Sequence, residues 1–327
     1  MKFPDSILIC RTDSIGDVVL TLPLAGFLKK NMPGIKIGFL CREYTAPVVR
    51  HCEHVDEVVI FKRGEKVKDY ECALAVYPEK EVLILLKRSA IPIRIATAGR
   101  IHTLLWANKR VSFSRKHSDL HEAQLNFKLL KPLGFDFIPE LNEIPGYYGL
   151  RVGSAISFFS QGSQKINLII HPGSKGSARD WSINNYVELI RLLPQDRFNV
   201  FISGTQKEAN IFLPAFADVS DRFTVIPGAY GLDQFMGIIA AADVLLAAST
   251  GPLHLAAALD IHAIGIYVPM RPIHPGRWAP LGKKAEVICA DKICGGCKKG
   301  EPCSCIAEIS PEMVRHRLMQ VEKVSIH

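Results

Sequence analysis

Four short segments carry residue types suited to anion binding and proton transfer. The densest is 249–254, Ser249-Thr-Gly-Pro-Leu-His254, which follows the apolar run 244–248. A short apolar run, a polar break and an Ala/Leu-rich continuation predict a buried strand, a tight turn and a helix. Pro252 suits the first helical turn because its missing N–H is not needed there. A helix start offers unpaired amides and the positive end of a dipole, a seat for phosphate. Gly251 admits a ligand close to the backbone, and Thr250 and His254 add side-chain donors. The same residues also fit an ordinary strand–helix joint with a buried His.

The other three segments supply complementary groups. Gly16-Asp17 falls where a polar loop enters a helix. A carboxylate there either stabilises the helix start or acts as a general base towards an attacking hydroxyl. His171-Pro-Gly-Ser-Lys-Gly-Ser-Ala-Arg-Asp-Trp181 combines small residues with Ser174, Lys175 and Arg179. A planar guanidinium makes paired bonds to phosphate, whereas Lys175 is a point charge. Trp181 reads as a packing anchor. Ser203-Gly-Thr-Gln-Lys-Glu208 ends in an acid that can accept from ribose hydroxyls or cap a helix.

A fifth constellation is Cys294-x-x-Cys297 with Cys303-x-Cys305. Four thiols at close spacing can bind a structural zinc tetrahedrally, although the short second gap departs from zinc ribbons. Free thiols are the simpler alternative. No His or carboxylate pattern joins the cluster to make a catalytic metal site.

These loops need elements to position them. The first half alternates strands and helices from residue 6 to about 131, including one apolar helix over 18–30, a helix over 119–131 and an irregular stretch over 102–116. Residues 135–149 lose the rhythm and read as a linker, dividing the chain into 1–148 and 149–327. A second alternation starts at 166. Ser310-Pro-Glu312 opens a final helix that can return to the first domain. Alternation of this kind predicts parallel sheets covered on both faces, with ligands beyond the carboxyl ends of the strands. The four loops fall at such ends.

Composition narrows the partners. The 327 residues are 48% hydrophobic and 22% charged, a globular balance. No apolar run is long enough to span a bilayer, and 7–10 is too short for a signal-peptide core, so the expected location is cytoplasmic. A net charge of +8 suits an anionic partner, but no nucleic-acid-binding pattern is present and nucleic acid is not expected. Arg94, Arg100, Arg110, Arg115 and Lys116 form a basic stretch in the first domain. Neither a GxGxxG dehydrogenase fingerprint nor a Walker-A, HExxH or GxSxG motif occurs.

Taken in order, Thr12-Asp-Ser-Ile-Gly-Asp17 with Thr21-Leu-Pro23, His171-Pro-Gly-Ser174 with Arg179-Asp-Trp181, Gly204-x-x-x-Glu208, and Thr250-Gly-Pro-Leu-His-Leu-Ala-Ala-Ala258 resemble the family 9 glycosyltransferases, the lipopolysaccharide heptosyltransferases. The resemblance covers nearly the whole chain. It implies a GT-B fold of two Rossmann-like domains facing across a cleft, the first for the acceptor and the second for the nucleotide sugar. The implied reaction is an inverting transfer of heptose from ADP-heptose to the inner core of a lipopolysaccharide precursor, with no metal required. By match to the motifs, Asp17 is the base, Arg179 stands where the family usually has a Lys at the donor phosphates, and Glu208 is the ribose acid. Thr250, Gly251 and His254 belong to the phosphate turn. Arg94, Arg100 and Lys116 are acceptor candidates, and a lipid acceptor implies peripheral contact with the inner membrane. Ser249 departs from a frequent family Asp that contacts the donor sugar. A catalytically silent nucleotide-sugar-binding protein or a non-hydrolysing sugar epimerase would share the scaffold.

Overall fold

A computed structural model describes residues 3–153, 158–160, 162–174, 176, 178–292 and 303–323. The chain divides into two compact units, Met1–Arg151 and Val152–His327.

The first unit is built from strands β1 (Ser6–Cys10), β2 (Lys36–Cys41), β3 (Glu57–Ile60), β4 (Cys72–Ala75), β5 (Ile93–Thr97) and β6 (Lys109–Val111). Its helices are α1 (Ile15–Val19), α2 (Leu22–Asn31), α3 (Ala46–Arg50), α4 (Lys80–Arg88), α5 (Ile101–Trp106) and α6 (Glu122–Phe127). The second contains β7 (Ile166–His171), β8 (Phe198–Ile202), β9 (Thr224–Val225), β10 (Val244–Ala248), β11 (His262–Tyr267) and β12 (Ala285–Cys289). Its helices are α7 (Ile183–Leu192), α8 (Gln206–Phe212), α9 (Leu232–Ala240), α10 (Gly251–Ala258), α11 (Pro275–Trp278), α12 (Ser304–Ala307) and α13 (Pro311–Leu318).

Among the described residues the strands form two six-stranded parallel sheets, ordered β3-β2-β1-β4-β5-β6 and β12-β11-β10-β7-β8-β9. Both have one winding. The chain moves outward from β1 or β7, then returns past it and continues the other way. The direction reverses between β1 and β4 and between β7 and β10, which opens a crevice at the carboxyl ends of those strands. The register sets Cys10 beside Ala75 and His171 beside Ala247, so the strand ends that flank each crevice are level. All residues of β1, β7 and β10 are buried, as expected of central strands covered on both faces.

Local chemistry shifts several predicted elements. The single helix expected over 18–30 is two, α1 and α2. Pro23 has no N–H to offer the carbonyl of Val19 and its ring crowds that position, so the chain breaks at Leu20–Thr21 and restarts with Pro23 in the new first turn. The helix expected to reach 131 loosens into a 3-10 stretch, Lys128–Leu133, which contains Pro132 and ends at Gly134 with φ +91°. The irregular stretch over 102–116 contains α5 and the edge strand β6. The final helix, which the sequence left free to return to the first domain, is built into the second core through Val314 and Leu318.

Candidate functional site

In the first unit the crevice is floored by the loop from β1 to α1. Ser14 occupies the N-cap of α1 with extended backbone, yet its hydroxyl does not cap the helix. It donates instead to Asp17 Oδ2 at 2.5 Å. Asp17 Oδ1 accepts from Arg11 Nη2, and the hydroxyl of Thr21 donates to the Asp17 carbonyl at 2.7 Å. The carboxylate is therefore held on both oxygens, with its side chain 15% exposed.

Arg11, which sequence reasoning passed over, organises this loop. Its side chain is 3% exposed. Besides Asp17 it bonds Asp13 Oδ1 through Nε at 2.6 Å and Glu122 Oε1 through Nη1 at 3.2 Å. Glu122 is itself buried and also accepts from Arg115 Nη1 at 2.5 Å. Arg115 continues to Asn126 Oδ1 at 3.0 Å and to the carbonyl of Val76 at 2.8 Å. Asn126 in turn donates to the carbonyl of Leu20 at 3.0 Å and to Thr21 Oγ1 at 3.4 Å. Burial weakens the hold of Arg11 on its proton, but Asp17, Asp13 and Glu122 more than offset this and its pKa is raised. It is a fixed cation among three carboxylates. The only signal in the sequence was an Arg set directly after a mainly apolar strand, with acids two and six residues on.

Asp13 belongs to the same cluster. Burial raises its pKa, and the charge of Asp17 adds to this against the pull of Arg11. A raised folded pKa means that the fold binds this proton more tightly than the unfolded chain does. That contribution to stability is present at low pH and is lost as pH rises through the folded pKa. Asp13→Asn should therefore gain stability relative to the parent as pH rises from acid to neutral. Melting temperatures of both proteins across that range check it; a constant difference contradicts it.

The acceptor candidates separate. Arg100 sits beyond the carboxyl end of β5 and stacks its guanidinium on Tyr77, 5.0 Å from the ring centroid, a ring that Arg11 also approaches at 5.9 Å. Lys116 is exposed. Arg94 lies near the amino end of β5, away from the crevice. Its Nε and Nη1 donate to the carbonyls of Trp106 and Ile91 at 2.7 and 2.5 Å, so it braces the backbone between β5 and α5. That position and those bonds take it out of the acceptor set.

In the second unit three loops converge at the crevice. His171 ends β7, and its Nδ1 lies 2.9 Å from Ser203 Oγ at the end of β8. Ser174 is buried. Lys175 lies outside the described residues. Arg179 is half-buried. Trp181 is the packing anchor expected: its Nε1 donates to the carbonyl of Ile309 at 2.7 Å, and its ring meets Tyr186 edge-on at 4.7 Å.

Glu208 serves α8 as well as the crevice. Thr205 is the N-cap, and its amide and hydroxyl donate to Glu208 Oε2 at 2.9 and 2.6 Å, a capping box. The other oxygen faces the His171-Pro-Gly-Ser174 turn closely: a Cβ on Gly173 would sit 2.5 Å from Glu208 Oε1. Gly173 is what lets the acid reach that turn.

The start of α10 has the geometry of an anion seat. Thr250 is its N-cap, with extended backbone (φ −134°, ψ 165°) and no side-chain cap bond. Its hydroxyl is buried and has no hydrogen-bond partner. Pro252 stands in the first turn, Gly251 begins the helix, and His254 is buried in its second turn. Ser249 hydrogen-bonds the hydroxyl of Tyr267, whose pKa is raised by burial. Leaving a buried hydroxyl unsatisfied costs about 1–3 kcal/mol, which a bound anion would relieve.

Cys303 and Cys305 are buried in the second core. Cys294 and Cys297 lie outside the described residues, and no metal-binding group of His, Cys, Asp or Glu occurs among those described. No helix among the described residues is long and apolar enough to cross a membrane.

Comparison with known proteins gives this geometry a context. The model of glycosyltransferase family 9 (heptosyltransferase) matches residues 61–305. A putative glycosyltransferase of Haemophilus influenzae is 29% identical over 299 residues, 85% of this chain and 86% of that protein. Lipopolysaccharide heptosyltransferase 1 of Salmonella typhimurium is 23% identical over 318 residues, covering 87% and 94%. Among solved structures, E. coli heptosyltransferase WaaC with ADP superposes with a TM-score of 0.74 at 18% identity, covering 96% of this chain and 99% of that one. E. coli ADP-heptose lps heptosyltransferase II gives 0.72 at 21% identity, covering 97% and 98%. The two sheets are those of the GT-B fold. The family match spans the His171, Glu208 and Thr250 segments and begins after the Asp17 loop.

Proposed function

The chain belongs to glycosyltransferase family 9, the heptosyltransferase family, and from that premise we propose an inverting transfer of heptose, or a closely related sugar, from an ADP-sugar to the inner core of a lipopolysaccharide precursor at the cytoplasmic face of the inner membrane. The observation that carries the reading is the start of α10, where a buried, unpartnered Thr250 hydroxyl meets an uncapped helix terminus. That site asks for an anion with several acceptor oxygens, and a diphosphate provides them.

The reaction then assigns roles. Asp17 takes the proton of an acceptor hydroxyl as its oxygen attacks the anomeric carbon from the face opposite the diphosphate. The new glycosidic bond forms as the bond from that carbon to the phosphate oxygen breaks, and the electron pair leaves with ADP. The growing charge on ADP is met by Arg179, by the amides around Gly251 and Pro252's helical turn, and by Ser174, Lys175 and His254. No step calls on a metal, since these cations and dipoles supply the stabilisation. Glu208 accepts from the ribose hydroxyls, and Ser249 lies next to the sugar. Arg100 and Lys116 attract an acidic acceptor. WaaC has been seen with ADP and with ADP-2-deoxy-2-fluoro heptose, which supports an adenine nucleotide here.

A thermal-shift comparison of ADP, GDP and UDP tests the reading. At about 100 times its dissociation constant a ligand adds about 2.7 kcal/mol to stability, and ADP should do so at the lowest concentration. A preference for UDP or GDP overturns the donor assignment. The same assay on Glu208→Gln separates its two roles. Gln still completes a capping box, so the variant should melt within about 0.5 kcal/mol of the parent. Losing a charged acceptor should weaken ADP binding about tenfold or more. Equal losses in both quantities would reduce Glu208 to a cap.

A further inference from the structure

The charge of this chain is not spread evenly. Between Glu81 and Asp119 there is no acid, and that stretch holds eight Lys and Arg. The whole chain has 40 basic and 32 acidic residues and a net charge of +8. Its remainder is therefore neutral, and the excess resides in one segment of the first unit. α5 and β6 lie in that segment.

α5 is anchored from beneath. His102 Nε2 lies 2.8 Å from the carbonyl of Pro78, Thr103 is buried, and Trp106 packs against the first core. The outward face carries Ile101, Leu104 and Leu105, which are 78%, 58% and 64% exposed. Spacing of three and four residues places them together on one side of the helix. Scattered exposed apolar residues are ordinary, but three on one helical turn with no cover are not. Around them stand exposed cations. Arg100 precedes the helix, and Lys109 and Arg110 follow it on the edge strand. Arg110 Nη1 reaches back to the carbonyls of Leu104 and Ala107 at 3.5 and 3.3 Å, which holds its charge against the apolar turn.

An apolar tip inside a ring of cations, with no acid in the segment, matches a surface of anionic headgroups over hydrocarbon. We infer that α5 and β6 form a membrane-docking surface, in which Ile101, Leu104 and Leu105 enter the headgroup–acyl boundary of an anionic bilayer and Arg100, Lys109 and Arg110 pair with its phosphates. The surface adjoins the candidate site through Tyr77, whose ring Arg100 and Arg11 both approach. A lipid-borne acceptor would thus be met where it is embedded. The inference leans on the glycosyltransferase reading only for that last point, because docking needs neither donor nor acceptor.

Flotation of the full chain with phosphatidylglycerol-containing vesicles and with pure phosphatidylcholine vesicles tests it. Binding is expected to the anionic vesicles alone and should weaken as salt rises. Leu104→Glu with Leu105→Glu should lower the partition at least tenfold, and Lys109→Ala about fivefold. Both sites are exposed, so melting temperatures should match the parent. Transfer to a water-soluble, deacylated acceptor should be unchanged in the double Leu variant, while transfer to a vesicle-embedded acceptor falls. Equal binding to both vesicle types, parental partition of the Leu variant, or loss of a dimer in its place overturns the inference. Equal loss of transfer to both acceptors also overturns it, since that would place these residues in an acceptor pocket. Vesicle binding without any transferase activity would leave the docking surface standing and sink the catalytic reading.

Discussion

Asp17→Asn should lower kcat by about 10²- to 10⁴-fold, the usual contribution of a positioned general base, with the ADP dissociation constant changed less than twofold. Asn keeps the shape, its oxygen can accept from Arg11 and its amide nitrogen can donate to Ser14 Oγ, so the loop should hold. What it loses is the capacity to take a proton. On that proposed role the bonds from Arg11 and Ser14 matter, because a base fixed in this way needs no reorganisation when the acceptor hydroxyl arrives. Steady-state transfer rates and nucleotide titrations on the same preparation decide the matter. Loss of ADP affinity with turnover intact would reverse the roles assigned to the two units. ADP release that does not require acceptor would favour hydrolysis or epimerase-type chemistry over transfer.

Arg11→Met should destabilise the protein by about 3–5 kcal/mol, the cost typical of removing one partner from a buried ionic cluster. Three carboxylates, Asp13, Asp17 and Glu122, lose the cation they share. Arg115 still holds Glu122, so the burden falls on Asp13 and Asp17. Chemical denaturation measures the loss. Because the partners are coupled, adding Asp13→Asn to Arg11→Met should recover part of it. Strict additivity of the two substitutions would show that Arg11 and Asp13 do not share one network. Arg11→Lys keeps the charge but not the fork that spans three carboxylates, and should fall between the parent and Met.

The sheets and their loops were legible because parallel α/β chemistry is written locally. β1, β7, β8 and β10 are short apolar runs ended by polar turns, and within each sheet the register sets neighbouring strand ends level. Elements resting on weaker local patterns were not legible. α5 spans six residues and leaves three of its apolar side chains outside, so it carries no inward periodicity to detect. The break between α1 and α2 needed Pro23 to be weighed against a long apolar run. The site was legible in part for the same reason. Asp17, Glu208 and Thr250 sit at or just inside helix starts that follow polar loops, whose composition points to anions and protons. The buried cluster was not, because Arg11 and Glu122 are 111 residues apart and neither stands out beside its sequence neighbours. Arg94 misled because charge alone says nothing about which end of a strand it occupies.

Residues 305–321 are sewn into the interior of the second unit. Cys305, Ile306, Ile309, Val314, Leu318 and Val321 belong to its core. The indole of Trp181 donates to Ile309, Arg315 to the carbonyl of Leu192, and Arg197 to the carbonyls of Met319 and Val321. During synthesis the first unit has its whole sequence available long before this segment leaves the ribosome. The second unit does not. Its largest buried side chain waits with an unpaired N–H, and its core with one wall open, until the final helix emerges. The second unit therefore closes its core only once residues 305–321 have been made, later than the first unit.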